Sequence, residues 1–376
     1  MRVFYLTASR VPSKAANAVH VMKMSQAFSC AGHEVVLFAC HGTEVIAETD
    51  YQYYGVSESF EIVKHRWRGI PAVGGLAYGQ AVRREVCRRS APVPDVIYSR
   101  HAATAARVLD LGCPVRLEVH SLPENVLQRT ALHRVFSSKS FVALITISDA
   151  LKQAYIGEFP RLAERSIIVA HDGADASPEQ KHADVRLEIE GKAPASSAHV
   201  GYVGHLYPGK GMELIDQLSR MMPAIAFHVV GGTDADVARW RAATTGRANL
   251  FFYGHVPHGK VPSMLSCFDI LLAPYQRKVS TYGGKGDIAN WMSPLKLFEY
   301  MAHGKAMVVS DLPVLREVIS DRHNGILCNP DDSSAWAAAI EELIAEPALC
   351  RQISQNALRD FRCNYTWAGR AKRVLA

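Results

Sequence analysis

The sequence predicts an α/β protein made of two successive units, each a parallel β-sheet with helices on both faces. Three observations support this. Short apolar runs alternate with helical patterns through the first third of the chain, the alternation restarts near residue 199, and a polar stretch separates the two series. Strand–helix repetition of this kind is typical of doubly wound parallel sheets. At 376 residues the chain is also too long for one ordinary core.

The strands expected in the N-terminal unit are apolar runs rich in β-branched and aromatic residues. They are Arg2–Ala8, Glu34–Cys40, Pro94–Arg100, Val115–His120 and Phe141–Ser148. Between the first two, apolar residues recur at helical spacing, and Gly32 is expected to end that helix. The apolar positions of this helix are Val21, Met24, Ala27, Phe28 and Ala31.

The C-terminal unit repeats the pattern. Its expected strands are His199–Leu206, Ile225–Gly232, Asn249–Val256, Phe268–Tyr275 and Lys305–Asp311. A helix over residues 354–376 is expected to pack back on the N-terminal domain. The resulting assignment is an N-terminal domain at 1–180, a linker at 181–198, a C-terminal domain at 199–353, and the final helix. Because ligands of open parallel sheets bind beyond the carboxyl ends of the strands, a cleft between the two domains is the expected binding site.

Composition and charge narrow the functional classes. The formal charge of +6 suits an anionic ligand or an acidic membrane surface and does not require nucleic acid. The eight cysteines contain no C-x-x-C pair and are interpreted as reduced cytosolic thiols. No apolar stretch approaches the roughly 20 residues of a membrane span. The N-terminal run is interpreted as a buried strand and not as a signal peptide. We therefore expect a cytoplasmic protein.

The glycine-rich stretch YVGHLYPGKG, Tyr202–Gly211, is the first candidate binding element. Gly204 closes a strand, Gly209 and Gly211 flank Lys210, and a helix is expected to follow directly. Glycines let a ligand approach the backbone, and the N–H groups at a helix start attract phosphate. The pattern indicates a phosphate-binding turn, and a tight turn with a solvated lysine is the alternative.

Residues 292–305, MSPLKLFEYMAHGK, are the second candidate. Ser293 is predicted to cap a helix, with Pro294 as its first residue. Lys296 then lies in the first turn, where the helix dipole disfavours a cation, and a bound anion would relieve this conflict. Glu299 follows one turn later on the same side, so a routine ion pair on a packed helix is the alternative.

Three further segments have weaker patterns. The loop Ser9–His20 contains no glycine, which argues against the G-x-G-x-x-G of a nicotinamide dehydrogenase. Asp234–Asp236 resembles a metal-binding D-x-D, but acidic residues are also common at helix starts, and we expect no metal. The segment Gln80–Pro92 is basic and suits either an anionic lipid surface or a solvated helix face. Its arginines are Arg83, Arg84, Arg88 and Arg89.

The stretch SPLKLFEYMAHGKAMVVSDLPVLREVI, preceded by GHLYPGKG about 85 residues earlier, resembles retaining glycosyltransferase family four. The segments FHVVGG, NLFFYGHVP and SCFDILLAPY agree in the same order, and GHEVVLF, DVIYSR and ITISDAL agree in the N-terminal half. The resemblance implies the GT-B fold, with two Rossmann-like domains and an interdomain cleft. It also implies a nucleotide-sugar donor, UDP- or GDP-linked, a glycan or lipid-linked glycan acceptor, and no cofactor.

The resemblance assigns donor-binding roles in the C-terminal half. Lys210 matches a lysine that binds the donor diphosphate, and His205 replaces the family's arginine. Glu299 matches the second glutamate of an E-x(7)-E motif, which holds the ribose, whereas Trp291 stands where the first, sugar-binding glutamate would be. The expected donor contacts are Gly204, His205, Lys210, Gly232, His255, Val256, Ser293, Pro294, Leu295, Lys296 and Glu299.

On the acceptor side, His120 matches a histidine that contacts the transferred sugar. Arg100 closes a neighbouring strand, and Lys14 and Asn17 lie in the first loop. The expected catalytic set is His120, Lys210, Lys296 and Glu299. The implied reaction is metal-independent, retaining transfer of a hexose-type sugar in polysaccharide biosynthesis, such as that of lipopolysaccharide or capsule. Same-face attack would let the leaving phosphate take the acceptor proton.

Two alternatives remain open from the sequence. A GT-B-type sugar-nucleotide epimerase would share the fold and the donor but would need acid/base carboxylates, and Trp291 argues mildly against it. A nonenzymatic nucleotide-binding protein is also consistent with the missing motif glutamate, and turnover of the donor would separate it from an enzyme. Peripheral contact with the inner face of an anionic membrane depends on the arginine-rich segment.

Overall fold

The computed structural model describes residues 1–42, 44–67, 74–176, 198–280 and 286–376. The chain forms two compact units. Unit 1 comprises Met1–His171 and Trp367–Ala376, and unit 2 comprises Asp172–Thr366. The sequence placed the first boundary at residue 180 and the C-terminal one at residue 353. Of the proposed linker, residues 181–197 lie outside the described part of the chain.

Unit 1 contains a seven-stranded sheet. Its strands are β1 (Arg2–Val11), β2 (Glu34–His41), β3 (Glu61–His65), β4 (Val96–Ser99), β5 (Val115–Val119), β6 (Phe141–Thr146) and β7 (Ser166–Val169). They are ordered β3-β2-β1-β4-β5-β6-β7, and all pairings are parallel. The order reverses between β1 and β4, which confirms the doubly wound prediction. The edge strands β3 and β7 were not predicted.

Among the residues described up to 176, six helices accompany this sheet. They are α1 (Ala16–Cys30), α2 (Asp50–Tyr54), α3 (Gly74–Arg89), α4 (Ala102–Val108), α5 (Val126–Phe136) and α6 (Asp149–Glu158). The helix predicted from apolar spacing is α1, and its buried face includes Val21, Met24 and Phe28. Gly32 follows the end of α1 with a φ of 85°, a left-handed conformation that favours glycine.

Unit 2 contains a six-stranded parallel sheet. Its strands are β8 (His199–Val203), β9 (Ala226–Val230), β10 (Leu250–Gly254), β11 (Ile270–Ala273), β12 (Ala306–Ser310) and β13 (Ile326–Cys328). The order β10-β9-β8-β11-β12-β13 is that of doubly wound nucleotide-binding sheets, counted 3-2-1-4-5-6 along the unit. Five of these strands were predicted, and the edge strand β13 was not.

The helices of unit 2 pack around this sheet. They are α7 (Met212–Met221), α8 (Asp234–Ala243), α9 (Val261–Ser266), α10 (Leu295–Ala302), α11 (Ser333–Ala345) and α12 (Pro347–Asn364). On α7 the side chains of Leu214, Ile215 and Leu218 enter the core. Burying each contributes about 1.5–3 kcal/mol of hydrophobic stabilisation. Trp336 is fully buried, and its indole N–H donates to the Asn329 carbonyl at 2.9 Å.

The last helix, α13 (Trp367–Leu375), belongs to unit 1 and contacts α1. The expectation of one helix over residues 354–376 was wrong, because the chain leaves helical geometry at Tyr365 and Thr366. The Tyr365 ring packs on Phe298 with ring centres 5.0 Å apart. Trp367 therefore begins a separate helix. Among the described helices, none is long and apolar enough to cross a bilayer.

Candidate functional site

The glycine-rich turn of unit 2 lies where the strand order of its sheet reverses, between β8 and β11. Ligands of doubly wound sheets bind at this point. A Cβ on Gly209 would stand 2.0 Å from the Lys278 carbonyl oxygen, and a Cβ on Gly211 would stand 2.0 Å from that of Pro274. Both glycines have positive φ values, 85° and 90°. The turn can therefore pass directly against the segment that follows β11 only because it lacks side chains at these positions.

Lys296 reaches the same place from the first turn of α10. It is 8% exposed, and its Nζ has no hydrogen-bond partner among the residues described. The Nζ lies 3.7 Å from the ring centre of Tyr202 and 5.1 Å from that of Tyr275. A Cβ on Gly204 would stand 2.8 Å from it, so this glycine leaves room for the amine. Burial, with Lys210 nearby, holds the pKa of Lys296 well below its ordinary value.

Lys210 shares this cluster. Its Nζ lies 5.0 Å from the ring centre of Tyr275. Burial lowers the pKa of Lys210 to about 8. Two lysines with lowered pKa values beside each other form a site in which a bound anion would restore both positive charges.

The start of α10 differs from the prediction. The helix begins at Leu295, with Pro294 in the cap position, so the prediction of Ser293 as the cap and Pro294 as the first helical residue was wrong by one position. The Ser293 hydroxyl instead accepts a hydrogen bond from the Asp172 backbone N–H at 2.8 Å. No side chain among the described residues caps α10, and Lys296 lies in the first turn as predicted.

Glu299 lies one turn after Lys296, but the two do not form the ion pair that their spacing allows. Glu299 Oε1 instead lies 2.8 Å from Nε2 of His258, a residue between β10 and α9. The carboxylate is 16% exposed and the imidazole 22%. His258 was not identified from the sequence, where it is one of 16 histidines and lies outside any predicted element.

The other predicted donor contacts follow strands of the same sheet. His205, after β8, stacks on Tyr207 with ring centres 4.6 Å apart. Gly232 follows β9 with a φ of 85°, and a Cβ there would stand 2.7 Å from Leu206 Cδ1. His255 and Val256 follow β10 and are half-buried.

Trp291, at the position of the missing motif glutamate, lies shortly before α10 and is also half-buried. The Asp234–Asp236 segment starts α8. Thr233 caps that helix, and its hydroxyl and backbone N–H are bound by the Asp236 carboxylate. These contacts support the helix-start interpretation over a metal site.

In unit 1, a buried glutamate on β5 organises the predicted acceptor-side residues. Glu118 is 1% exposed, and its Oε1 lies 2.5 Å from His120 Nε2, 3.0 Å from His20 Nε2 and 3.3 Å from Arg100 Nε. Arg100 also donates to the Asn17 carbonyl at 3.2 Å. Arg100, His120 and the Asn17 backbone are thus brought together.

Lys14 makes a different contact, an ion pair with Glu44 at 3.7 Å. This ion pair lies outside the group around Glu118.

The opposite oxygen of Glu118 contacts groups from β4 and α13. Arg370 Nη1 lies 3.0 Å from Oε2, and the Tyr98 hydroxyl donates to the same oxygen. Burial alone would raise the pKa of Glu118, but Arg370 and His20 hold that pKa well below its ordinary value. The sequence contains a signal for this group. Glu118 is a charged residue between the apolar Leu117 and Val119 in a predicted buried strand.

The network around Glu118 also acts on the charge of His120. Burial, reinforced by Arg100, lowers the pKa of His120 to about 4, while the side chain remains 27% exposed. The ring therefore combines a fixed position beside Glu118 with access to solvent.

The groups of His20, Glu118 and His120 approach within 4.8 Å of one another, a spacing that can hold a metal ion. Arg100 and Arg370 already engage this carboxylate, however, and a divalent cation would compete with two guanidinium groups for it. The donor set fits an internal ion-pair network better than a metal site.

The arginines of α3 are largely paired within unit 1. Arg83 binds Asp110 at 2.5 Å, and Arg89 binds Glu61 at 2.8 Å and Glu85 at 2.7 Å. Arg88 also contacts Glu85, at 3.1 Å. Three of the four arginines noted in the sequence thus have carboxylate partners on the same unit.

Part of the chain is similar to a known family. Residues 197–346 match the family model described as Glycosyl transferases group 1. The chain is 26% identical over 234 residues to a glycogen synthase of Mycobacterium tuberculosis, covering 60% of this chain and 51% of that protein. It is 24% identical over 342 residues to a phosphatidyl-myo-inositol mannosyltransferase of Mycolicibacterium smegmatis, covering 88% and 81%. The chain thus spans about half the length of the glycogen synthase.

Solved structures identify the fold. A sucrose-phosphate synthase of Thermosynechococcus elongatus superposes with a TM-score of 0.74 at 17% identity, covering 99% of this chain and 97% of that one. Anabaena Alr3699/HepE in complex with UDP and glucose superposes with a TM-score of 0.74 at 18% identity, covering 100% and 98%. The chain therefore has the GT-B fold, and its residues 197–346 are similar to the family Glycosyl transferases group 1.

Proposed function

We propose that the protein is a glycosyltransferase that moves a hexose-type sugar, with retention, from a nucleoside diphosphate sugar to a glycan or lipid-linked glycan. The family of residues 197–346 supports the enzyme class. The names of the two relatives, a glycogen synthase and a mannosyltransferase, support a hexose. The Anabaena protein binds UDP and UDP-glucose, which supports a uridine nucleotide as the first donor to test.

The observation that carries the donor site is the buried amine of Lys296, which has no hydrogen-bond partner among the residues that the structure describes. A buried polar group without a partner costs about 1–3 kcal/mol. Here it lies beside Gly204, at the carboxyl end of β8, with Lys210 in the same cluster. A bound diphosphate would supply the missing partner for Lys296, and the first turn of α10 would add backbone N–H donors.

This arrangement suits cleavage of a sugar–phosphate bond. As the anomeric C–O bond breaks, its electron pair passes to the β-phosphate, where negative charge increases. Lys210 and Lys296 would stabilise this charge more in the transition state than in the bound substrate. The acceptor hydroxyl oxygen then bonds to the anomeric carbon from the same face, and its proton passes to the leaving phosphate. The reaction written this way requires neither a metal nor a cofactor.

Glu299 is proposed to accept hydrogen bonds from the ribose hydroxyls. In unit 1, His120 is proposed to contact the transferred sugar, because its neutral ring is held by Glu118 and remains accessible. Arg100 and Asn17 would border the acceptor.

The proposed location is cytoplasmic, with peripheral contact to an anionic membrane if the acceptor is lipid-linked. The ion pairs of α3 lessen its contribution to such contact, because Arg83, Arg88 and Arg89 have partners within the unit.

The test is a thermal-shift panel of UDP, GDP and ADP on the full chain, followed by turnover assays with the matching sugar nucleotides. A ligand at 100 times its Kd should stabilise by about 2.7 kcal/mol. We expect UDP or GDP to raise Tm and Glu299→Ala to abolish turnover without loss of fold. Lys372→Met, at an exposed lysine of α13, is the control variant.

Two results would contradict the proposal. If no nucleotide shifts Tm, the donor site is wrongly assigned. If the donor is converted to an epimeric sugar nucleotide without any acceptor, the protein is an epimerase, although Trp291 in place of a carboxylate argues against this outcome.

A further inference from the structure

His258 is a histidine that the proposed donor site does not otherwise use. It lies in the segment between β10 and α9, 41 residues before Glu299, and its Nε2 is 2.8 Å from Glu299 Oε1. Both side chains are largely buried, at 22% and 16% exposure. The bond therefore ties the loop after β10 to the helix that carries Lys296.

The contact fixes where the hydrogen of the imidazole lies. An ionised carboxylate only accepts hydrogen bonds, so Nε2 of His258 must donate. Its other nitrogen, Nδ1, is buried and has no hydrogen-bond partner in the described part of the chain. A buried polar atom of this kind indicates a group from outside the chain, such as a ligand or an ordered water.

The same contact bears on Lys296, whose amine has no hydrogen-bond partner among the described residues. Glu299 follows Lys296 at i,i+3, a spacing at which opposite charges normally attract. The carboxylate instead contacts His258, and the amine of Lys296 has no hydrogen-bond partner within the described part of unit 2. An intrahelical ion pair would neutralise both groups and close the site to a diphosphate.

We propose that His258 is a positioning residue that holds Glu299 away from Lys296, so that the carboxylate can bind ribose while the amine can bind diphosphate. This inference rests on the proposed function. It assigns to one histidine both the ribose selectivity of the site and part of its affinity for phosphate.

The first test is calorimetric titration of the full chain with UDP, 2′-deoxy-UDP and 3′-deoxy-UDP. In the wild type, loss of a hydroxyl bound by a carboxylate should weaken binding at least about tenfold for one of the two analogues. In His258→Met, which has no donor, this ratio should fall below about threefold. In His258→Gln, whose amide N–H can donate to Glu299, the ratio should recover.

His323→Ala is the matched control. This histidine of unit 2 also faces a carboxylate, with Nε2 3.5 Å from Asp360, but it is 49% exposed and is not part of the donor site. Its substitution should leave the ratio unchanged.

The second test uses inorganic pyrophosphate, which has no ribose. His258→Met should bind it at least about threefold more weakly than the wild type, because Glu299 then turns to Lys296. Adding Glu299→Gln to that variant should restore the affinity, since the competing carboxylate is removed.

The outcomes distinguish a failure of the proposed function from a failure of the positioning role of His258. If the wild type binds neither UDP nor pyrophosphate, the proposed function fails. If it binds them but His258→Met weakens UDP and its deoxy analogues equally, or leaves all affinities unchanged, the positioning role is overturned. If His258→Met does not fold, the comparison of His258→Gln with His258→Leu decides the same question, and an identical ratio in both would overturn the role.

Discussion

Replacing Lys296 by methionine should stabilise the free protein while removing its affinity for nucleotide. Methionine has a similar length and fills the same apolar space beside Tyr202 and Tyr275. Removing the unpartnered amine should return about 1–3 kcal/mol. The attraction of a charged amine to the Tyr202 ring offsets part of this gain, but the lowered pKa of Lys296 reduces the charged fraction. We therefore expect the free energy of unfolding to rise by about 1–2 kcal/mol.

The pH dependence of this gain has a definite sign. The pKa of Lys296 is lower in the folded protein than its ordinary value of 10.5, so the unfolded chain binds more protons between those two pKa values. Over that window, the free energy of unfolding of the wild type rises with pH. Methionine has no ionisable group, so its contribution to the free energy of unfolding does not change with pH. The advantage of Lys296→Met should therefore be largest at low pH and should shrink as the pH approaches about 10.5.

Thermal melts of both proteins at pH 6 to 9, with and without UDP, would measure these effects. For a unit of this size, 1 kcal/mol corresponds to about 2–4 °C in Tm. We expect Lys296→Met to melt about 2–8 °C higher without ligand and to show no shift with UDP. The surface variant Lys372→Met should keep both the wild-type Tm and its UDP shift. A lower Tm for Lys296→Met at every pH, or a preserved UDP shift, would refute the reasoning.

Three further predictions concern the lysine cluster and the buried glutamate. Because the pKa of Lys210 is about 8 in the free protein and a diphosphate would raise it, binding takes up a proton above that pH. UDP affinity should thus fall by up to about tenfold per pH unit above pH 8, and a constant Kd from pH 7 to 9.5 by calorimetry would contradict this. Glu118→Gln leaves two arginines around an uncharged amide and should lower the free energy of unfolding, measured in urea, by about 3–5 kcal/mol. A loss under about 1 kcal/mol would show that the network contributes little to stability. Gly204→Ala would place a Cβ 2.8 Å from Lys296 Nζ and should weaken UDP binding at least about tenfold, whereas Gly157→Ala, with open space around it, should not.

The central strands could be read from the sequence, whereas three edge strands could not. Buried strands such as β8 and β11 are nearly continuous apolar runs, because both faces of a parallel sheet are covered. The strands β3 and β7 lie at the two edges of their sheet and are mostly half-exposed, so their composition resembles that of a loop. The third, β13, is an edge strand of three residues, which is too short to show a period.

The candidate site was predictable where the chemistry is local. A lysine in the first turn of a helix conflicts with the helix dipole, and this conflict singled out Lys296. The structure places it in that turn, with its amine buried and without a hydrogen-bond partner among the described residues. Its surroundings were not predictable, because spacing alone offered Glu299 as a partner. The structure instead pairs Glu299 with His258 from another element. Likewise, Glu118 meets Arg370 across 252 residues, a contact that no local pattern encodes.

The discontinuous path of unit 1 has a consequence for folding during synthesis. Helix α13 follows all of unit 2 in the sequence, and its Arg370 donates to Glu118 and to the carbonyls of Ala170 and His171. Domains generally fold as the ribosome releases them, N-terminal first. Here the N-terminal sheet emerges first with Arg100 beside Glu118, but the second arginine of this buried carboxylate arrives only with the last helix. A nascent chain that stops before Arg370 therefore carries every residue of unit 2 and an unfinished unit 1.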